Sequence, residues 1–380
     1  MNHLHRFFAL VLLAGAITLL GSCDSGGDAG GEQPPPPPAG FDRPAMLGNF
    51  GNNMVIPAYQ ALQTAVDALE EAVNAFSADP SANTLEAAQQ ALKTARLAWQ
   101  DANLFQFGPA ESAVLRGALN TYPTDADLIE ANVASGNYVL GSIANQAAGG
   151  FPTLDYLLHG MGSDPAETLA KYTTDASAAQ RIAYVQDNVA FIKTNTDATV
   201  NEWLATGGNY IGTFLSADKA GVDVGSSLGE LVNALVLHYE RFLRDGKIGI
   251  PAGVRSAGVP RPRSTEAFYG GYSVELAVAN VKAIERLFLG AGLNGAEGIG
   301  LDENLQALEA TDLSNDIKAT LRATITALEG LNDPLSTQIE TDADAVTAAF
   351  TTMQQLVVLL KADLASMLGI TITFQDNDGD

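Results

Sequence analysis

Cysteine and histidine are nearly absent from this chain of 380 residues. Its one cysteine is Cys23, and two of its four histidines, His3 and His5, lie within the first five residues. A single cysteine excludes an internal disulfide framework and a thiolate metal cluster. The other imidazoles, His159 and His238, are few for a metallohydrolase, whose zinc is usually held by three protein ligands. The HExxH, P-loop, GxSxG and dinucleotide-binding motifs are also missing from the sequence.

Basic residues are scarce as well. The chain has 20 Lys and Arg against 44 Asp and Glu, which gives a net charge of -24. Nucleic-acid binding needs a basic footprint on the protein, so this balance excludes a nucleic-acid partner. It also argues against peripheral binding to anionic lipid. The acidic excess fits a soluble exported protein, and it gives the surface a general preference for cations.

The N-terminus has the features of an export signal that ends in a lipid-modified cysteine. Arg6 precedes an apolar run from Phe7 to Leu20, and the sequence Leu20-Gly21-Ser22-Cys23 is a lipobox. The run is shorter than the roughly 20 residues that a spanning helix needs. We predict a signal peptide at 1–22 and a mature protein in the cell envelope. Acyl chains on Cys23 would anchor it at the outer membrane or on a periplasmic face. An uncleaved anchor or a buried thiol is the alternative.

The remaining sequence suggests a linker and two domains. Residues 23–43 are rich in Gly and Pro, which predicts a disordered spacer with no packed structure before about Phe41. The rest exceeds one typical core, so we place domains at 44–210 and 211–380. The second domain ends in a short acidic tail, Asp376–Asp380. The tail resembles the start of a calcium loop but lacks the distant glutamate, and a frayed end is the alternative.

Apolar residues recur at three- and four-residue spacing through nearly every long segment, which predicts amphipathic helices. The clearest stripes are Tyr59, Leu62, Val66, Leu69, Val73, Phe76; Leu85, Ala88, Leu92, Ala95, Trp99; Ile182, Val185, Val189, Ile192, Val200, Trp203; Leu228, Leu231, Leu235, Phe242; and Val346, Phe350, Met353, Val357, Leu360, Leu364. We expect an all-α protein of two side-by-side four-helix bundles. Only residues 370–374 alternate like a strand. Asp79-Pro80-Ser81 separates two helices, and Thr124 or Asp125 is the expected N-cap of another.

Three segments carry chemistry that a bundle core does not need. In the first, residues 149–160, Asp155 and His159 are four residues apart and share a helix face, where they would hold a metal or form a plain hydrogen-bonded pair. The second is the corner from Trp99 to Tyr122, which includes Glu111 and Arg116; it is a binding surface or a helix-to-helix turn.

The third segment is His238-Tyr239-Glu240-Arg241 with the long loop predicted from Gly246 to Pro262, which contains Lys247 and Arg255. It is basic on an acidic chain, so it would hold an anion or form salt bridges to the other half. Because each of the three segments interrupts a helix with Gly or Pro, we expect all three to converge in a cleft between the halves.

These segments together resemble the imelysin family. The resemblance rests on Trp99 with Phe105-Gln106-Phe107-Gly108-Pro109, on 120–125, on the Gly-Phe-Pro-x-x-Asp-Tyr-Leu-Leu sequence from Gly150, on 247–251 and on 368–380. It runs from about Met46 to the C-terminus. It implies two four-helix bundles with a functional site between them, a cell-envelope location and a role in iron uptake or homeostasis.

The family has been classed among metallopeptidases because of a Gly-x-His-x-x-Glu motif, and this chain departs from that motif. Gly150 keeps the glycine, but Pro152 stands at the histidine position and Asp155 at the glutamate position. Proline has no ligand atom and no N–H donor. The resemblance therefore implies a protein without peptidase activity.

Three hypotheses follow from this sequence. The first is a non-catalytic, lipid-anchored protein that binds a ligand or an iron species, together with iron-uptake partner proteins. Its expected binding residues are Trp99, Glu111, Arg116, Tyr122, Gly150, Pro152, Asp155, His159, Lys247 and Arg255. Iron or zinc would be the metal, with Asp155 and His159 as its ligands. The second hypothesis is a divergent zinc metallopeptidase, and the third is a structural envelope lipoprotein.

Overall fold

The computed structural model describes residues 41–293 and 295–374. The predicted signal peptide, Cys23, most of the linker and the acidic tail lie outside the described residues. Those residues contain no strand, which confirms the all-α prediction. They belong to one compact unit, and the boundary placed between residues 210 and 211 stays a prediction.

In the described part of the chain, the α-helices in order are α1 Arg43–Asn49, α2 Ile56–Ala78, α3 Ala82–Ala102, α4 Pro109–Ser112, α5 Leu115–Leu119, α6 Ala126–Ser135, α7 Phe151–Asp155, α8 Pro165–Thr173, α9 Ala178–Trp203, α10 Tyr210–Phe214, α11 Ser227–Leu237, α12 Ser273–Phe288, α13 Leu301–Ala307, α14 Thr311–Glu329, α15 Leu335–Thr341, α16 Ala343–Val358 and α17 Ala365–Leu368. Segments with wider π-helical turns are Phe50–Val55, Tyr156–Gly160, His238–Gly249 and Leu359–Leu364, and short 3₁₀ turns are Ile143–Ala148, Ala217–Lys219 and Pro262–Ser264.

The first half is organised around α2, α3 and α9, and α2 packs against both of the others. The predicted stripe from Tyr59 to Phe76 is buried along its whole length. Ser81 caps α3: its hydroxyl accepts from the Thr84 N–H, and the Thr84 hydroxyl accepts from the Ser81 N–H. Asp125, rather than Thr124, caps α6 by accepting from the N–H of Leu128 at 3.0 Å.

The second half packs α12 against α14, α14 against α16, and α16 against the π-helical segment that extends α11. The two halves meet where α3 lies beside α12. Lys93 of α3 pairs with Glu275 of α12 at 2.6 Å, and Asp101 pairs with Arg286. These two pairs are partly exposed at the edge of the seam, while buried apolar residues from both halves form one continuous core.

Two local predictions need correction. Lys247 was expected in a loop, but the helix continues through His238–Gly249 because a π-helical turn accommodates Gly246, and Gly249 packs against the ring of Phe350. Residues 370–374 alternate like a strand but have no strand beside them. Their backbone is bonded by one side chain, since Asn233 donates to the Thr371 carbonyl at 3.0 Å and accepts from the Thr373 N–H at 2.8 Å.

One helix in the described part of the chain, Ala343–Leu368, is long and apolar enough to cross a membrane by length and composition. The face of this helix from Val346 to Leu364 is buried in the core, with exposed positions between, as in a bundle helix.

Candidate functional site

The site begins at a glycine that no other residue can replace without strain. Gly150 has φ +82°, and a Cβ built on it would lie 2.8 Å from the Ala118 carbonyl oxygen and closer still to that of Leu119. This close approach seats the start of α7 directly on the end of α5. Pro152 follows in the first turn, where its missing N–H has no helical partner to lose. The geometry fixes the direction in which Asp155 leaves the helix.

Asp155 is 1% exposed and its carboxylate is fully engaged by protein groups. The oxygens accept from the backbone N–H groups of Tyr269 and Gly270, each at 3.1 Å. Arg96, itself fully buried on α3, lies 3.4 Å from one of them. The carboxylate therefore ties the first half to the segment that precedes α12.

Glu266 forms the second anionic centre of the same interior. One carboxylate oxygen accepts from Asn120 at 2.8 Å and from Gln100 at 3.3 Å, while the other pairs with the Lys247 ammonium. The Glu266 carbonyl oxygen accepts from Arg96. Burial favours a raised pKa for the Glu266 carboxyl, but Lys247 and Arg96 hold that pKa below its ordinary value. Burial lowers the pKa of Lys247, and Glu266 opposes this effect.

We call Arg96, Asp155, Lys247 and Glu266 the central ion network. All four side chains are almost completely withdrawn from water, and they come from α3, the end of α7, the π-helical segment His238–Gly249 and the irregular stretch before α12. Ions buried this way are retained only when each is paired and hydrogen-bonded. The predicted convergence of 150–160, the Trp99–Tyr122 corner and Lys247 thus takes place through Arg96, Asn120 and Glu266.

Arg116 and His238 form a neighbouring buried contact across the seam. Arg116 donates to the Asn103 side chain at 2.8 Å and lies 3.0 Å from Nδ1 of His238. Because arginine only donates, Nδ1 accepts and the Nε2–H of His238 donates to Asn280 at 2.7 Å. Burial, followed by the charge of Arg116, lowers the pKa of His238 well below its ordinary value, so the imidazole is neutral.

A cleft of about 760 Å³ opens beside this contact, and we call it the arginine cleft. Its walls come from both halves of the chain and include the three arginines Arg116, Arg241 and Arg261. Of the predicted binding residues, Glu111 and Tyr122 also line it. The corner and the predicted basic loop both contribute to the cleft, but residues 150–160, Lys247 and Arg255, which were expected there as well, are not among its lining residues.

His159 lies on a different surface, a groove of about 500 Å³ that also includes Lys93, Gly270 and Tyr272. Its Nδ1 is 3.6 Å from the Asp155 carboxylate, as the four-residue spacing predicted. Burial lowers the pKa of His159, while Asp155 acts in the opposite direction. The imidazole is therefore neutral near pH 7 and partly accessible from the groove.

The residues around this pair do not fit a zinc site. Within residues 41–293 and 295–374, no three His, Cys, Asp or Glu side chains lie close enough to share a metal ion. The Arg96 guanidinium beside Asp155 would also repel a cation at that oxygen. At the motif position, Pro152 lines only a small cavity of about 40 Å³ with Asp155 and Glu266.

Three predicted residues have other surroundings than expected. Trp99 is fully buried and packs against Phe151 with ring centroids 6.5 Å apart, so it belongs to the core beneath the site. Arg255 pairs with Asp245 at 3.0 Å, and Lys247 pairs with Glu266. Both acids belong to the same half of the chain as the bases, whereas salt bridges to the other half were one of the two expectations for this segment.

Sequence reasoning missed Arg96 and Glu266, and it placed His238 in the third segment without giving it a role. Two of them carried a signal: Arg96 is one turn after Leu92, and His238 is three residues after Leu235, so both are polar residues on buried stripes. A polar side chain at such a position has to find a partner inside the protein. Glu266 lies in an irregular segment and had no comparable periodic signal.

Gly150→Ala is expected to destabilise the fold by about 2 kcal/mol or more, since a Cβ at this positive φ would also meet the α5 backbone. Gly136→Ala is the matched control, because Gly136 has φ +62° and its Cβ would meet nothing within 4 Å. The loss of stability in Gly136→Ala should stay near 1 kcal/mol. Urea unfolding of both variants gives the comparison, and equal losses would show that the contact with α5 contributes nothing.

Comparisons with known proteins agree with this architecture. The Imelysin family model (Peptidase M75) matches residues 55–362. A structure described as an iron-regulated protein A precursor from Parabacteroides distasonis ATCC 8503 is 19% identical, with a TM-score of 0.72 over 88% of this chain and 98% of that one. An imelysin-like protein from Psychrobacter arcticum 273-4 is 21% identical, with a TM-score of 0.68 over 87% and 97%.

A comparison with curated proteins gives no match. At such low identity the two structures support the fold alone. The family model, however, covers most of the sequence, including the segment from Gly150 to His159 and the whole seam between the halves. The chain therefore belongs to the imelysin family.

Proposed function

We propose that this protein is a non-catalytic, lipid-anchored component of the cell envelope that binds an iron-containing ligand in iron uptake or homeostasis. The non-catalytic part of the proposal is supported by the contacts of the Asp155 carboxylate. Both of its oxygens accept from backbone N–H groups and one of them faces Arg96, so a metal ion at this carboxylate would meet the charge of the guanidinium. With Pro152 at the histidine position of the motif, neither half of a metal-dependent hydrolytic pair is present.

The iron part is supported by the family and by the neighbour described as an iron-regulated protein A precursor. A binding role also agrees with the cleft, because a cavity of this size between two halves of a chain is a common ligand site. Partner proteins of iron uptake would then receive the ligand in the envelope.

The purified mature protein is expected to retain iron and to cleave no substrate. It would be incubated with an unfolded protein, with and without added iron and zinc, then desalted and measured by elemental analysis and by gel electrophoresis. Iron at a stoichiometric level without cleavage above a chelated control supports the proposal. Zinc-dependent cleavage that disappears in Asp155→Asn, a variant expected to remain folded, would establish the metallopeptidase alternative instead.

Cys23→Ser is expected to move the protein from the membrane to the soluble fraction, because the lipid on Cys23 is its proposed anchor. The measurement is an immunoblot of washed membranes and supernatant, with the wild type as control. If the variant still sediments with the membrane after an alkaline wash, another segment holds it. The helix Ala343–Leu368 would be the first to examine, since its composition permits insertion.

A further inference from the structure

The arginine cleft reverses the charge balance of the chain that forms it. Acidic residues outnumber basic ones by 44 to 20 in the sequence, yet the cleft is lined by three arginines. Among the described residues of its wall, Glu111 is the single acid. A concave surface with an excess of one sign of charge concentrates ions of the opposite sign, and here those ions are anions.

Arg116 provides the second observation. Its guanidinium donates to Asn103 and His238 and lies over the ring of Phe242 at 3.8 Å, but no carboxylate within residues 41–293 and 295–374 pairs with it. Burial lowers its pKa to about 9. A partly buried cation without a counter-ion is costly, and a bound anion would remove that cost. Arg261, on the opposite wall, is exposed and likewise has no carboxylate partner among the described residues.

The rest of the wall determines what kind of anion fits. Val114, Leu237, Phe242 and Ile250 are apolar, and a volume of about 760 Å³ suits an organic molecule far larger than a lone inorganic ion. Arginine binds carboxylate in a two-pronged geometry that lysine does not match. We propose that the arginine cleft binds an organic polycarboxylate, and that iron arrives there as the anionic ferric complex of such a molecule.

The iron part of this inference rests on the proposed function, whereas the anion part rests on the charge of the arginine cleft. A chelate supplies its own oxygen ligands to the metal, so the protein needs a complementary charge rather than a set of metal donors. The described residues offer that combination: no three metal-binding side chains in one place, and three arginines around one cavity.

Equilibrium dialysis of the mature protein tests the proposal with three probes: ferric citrate, iron-free citrate and the uncharged iron complex of acetohydroxamate. We expect ferric citrate to bind and the uncharged complex to be excluded, with affinity falling as salt rises from about 0.05 to about 0.5 M. Equal binding of the uncharged complex would overturn the inference and leave the iron role standing. Citrate bound as tightly without iron would support the anion site and contradict the iron role, and no binding of any probe would overturn both.

Variants locate the site. Arg116→Gln should weaken ferric citrate binding about tenfold or more, because it removes a partly buried charge. Arg261→Gln removes an exposed arginine of the same wall and should weaken binding by a smaller factor without affecting folding. Arg322→Gln, whose side chain is 69% exposed and outside the cleft, is the matched control and should bind like the wild type. Wild-type affinity in both cleft variants would place the anion elsewhere and overturn the proposal.

Discussion

Glu266→Ala is expected to destabilise the protein by about 3–5 kcal/mol, the range typical for breaking a buried ion pair by removing one partner. The substitution leaves the Lys247 ammonium buried without its anion, and it removes the acceptor for Asn120 and Gln100. Both losses act at the same place, since Glu266 is 2% exposed and Lys247 equally so. Urea unfolding followed by circular dichroism measures the change in the free energy of unfolding.

Glu329→Ala is the control for this substitution. Glu329 pairs with Lys282 at 2.7 Å, but the two side chains are 50% and 45% exposed. An exposed pair of this kind contributes about 0–1 kcal/mol. If Glu266→Ala were no worse than Glu329→Ala, the central ion network would not hold the two halves together.

The same carboxyl gives the stability a pH dependence whose sign is fixed. The pKa of Glu266 is lower in the folded protein than its ordinary value of 4.5, so the unfolded chain binds the proton more readily. The stabilisation is therefore complete above pH 4.5 and is lost as the pH falls towards the folded pKa. Glu266→Ala lacks this contribution, so its difference from the wild type should shrink in acid.

The helices could be predicted because their pattern is local. The stripe from Val346 to Leu364, for example, follows helical spacing, and the structure buries every one of its members. The π-helical turns could not be predicted, because one added residue in a turn changes the spacing of apolar residues very little. Lys247 was assigned to a loop for this reason: Gly246 and Gly249 suggest a break, whereas packing against Phe350 lets the helix continue.

The site could be predicted in outline only. The three unusual segments were found from Gly, Pro and charge, and two of them line the arginine cleft together. What joins them, however, is Glu266, more than 140 residues away from Asn120, and Arg96 on α3. Such pairings depend on how α3 lies beside α12. Neither helix has a local sequence pattern that specifies how the two are placed against each other.

Asp155→Ala is expected to destabilise the protein by about 3–5 kcal/mol, because Arg96 would keep a buried charge without its nearest anion. The backbone N–H groups of Tyr269 and Gly270 would lose their acceptor at the same time. Asp155→Asn keeps the shape and one accepting oxygen, so its loss should be smaller. Asp197→Ala is the exposed control, since Asp197 is 38% exposed where it pairs with Lys193 on α9, and it should cost under about 1 kcal/mol.

A second readout separates loss of charge from loss of packing. Burial lowers the pKa of His159 and Asp155 raises it, so removing the carboxylate should lower that pKa further. The titration of the His159 ring by NMR measures this in Asp155→Asn, which should remain folded. An unchanged His159 pKa would mean that the two side chains do not interact in solution. Loss of ligand binding in Asp155→Ala would not show by itself that Asp155 contacts the ligand. The same substitution also loosens the segment on which Glu266 and the wall of the cleft depend.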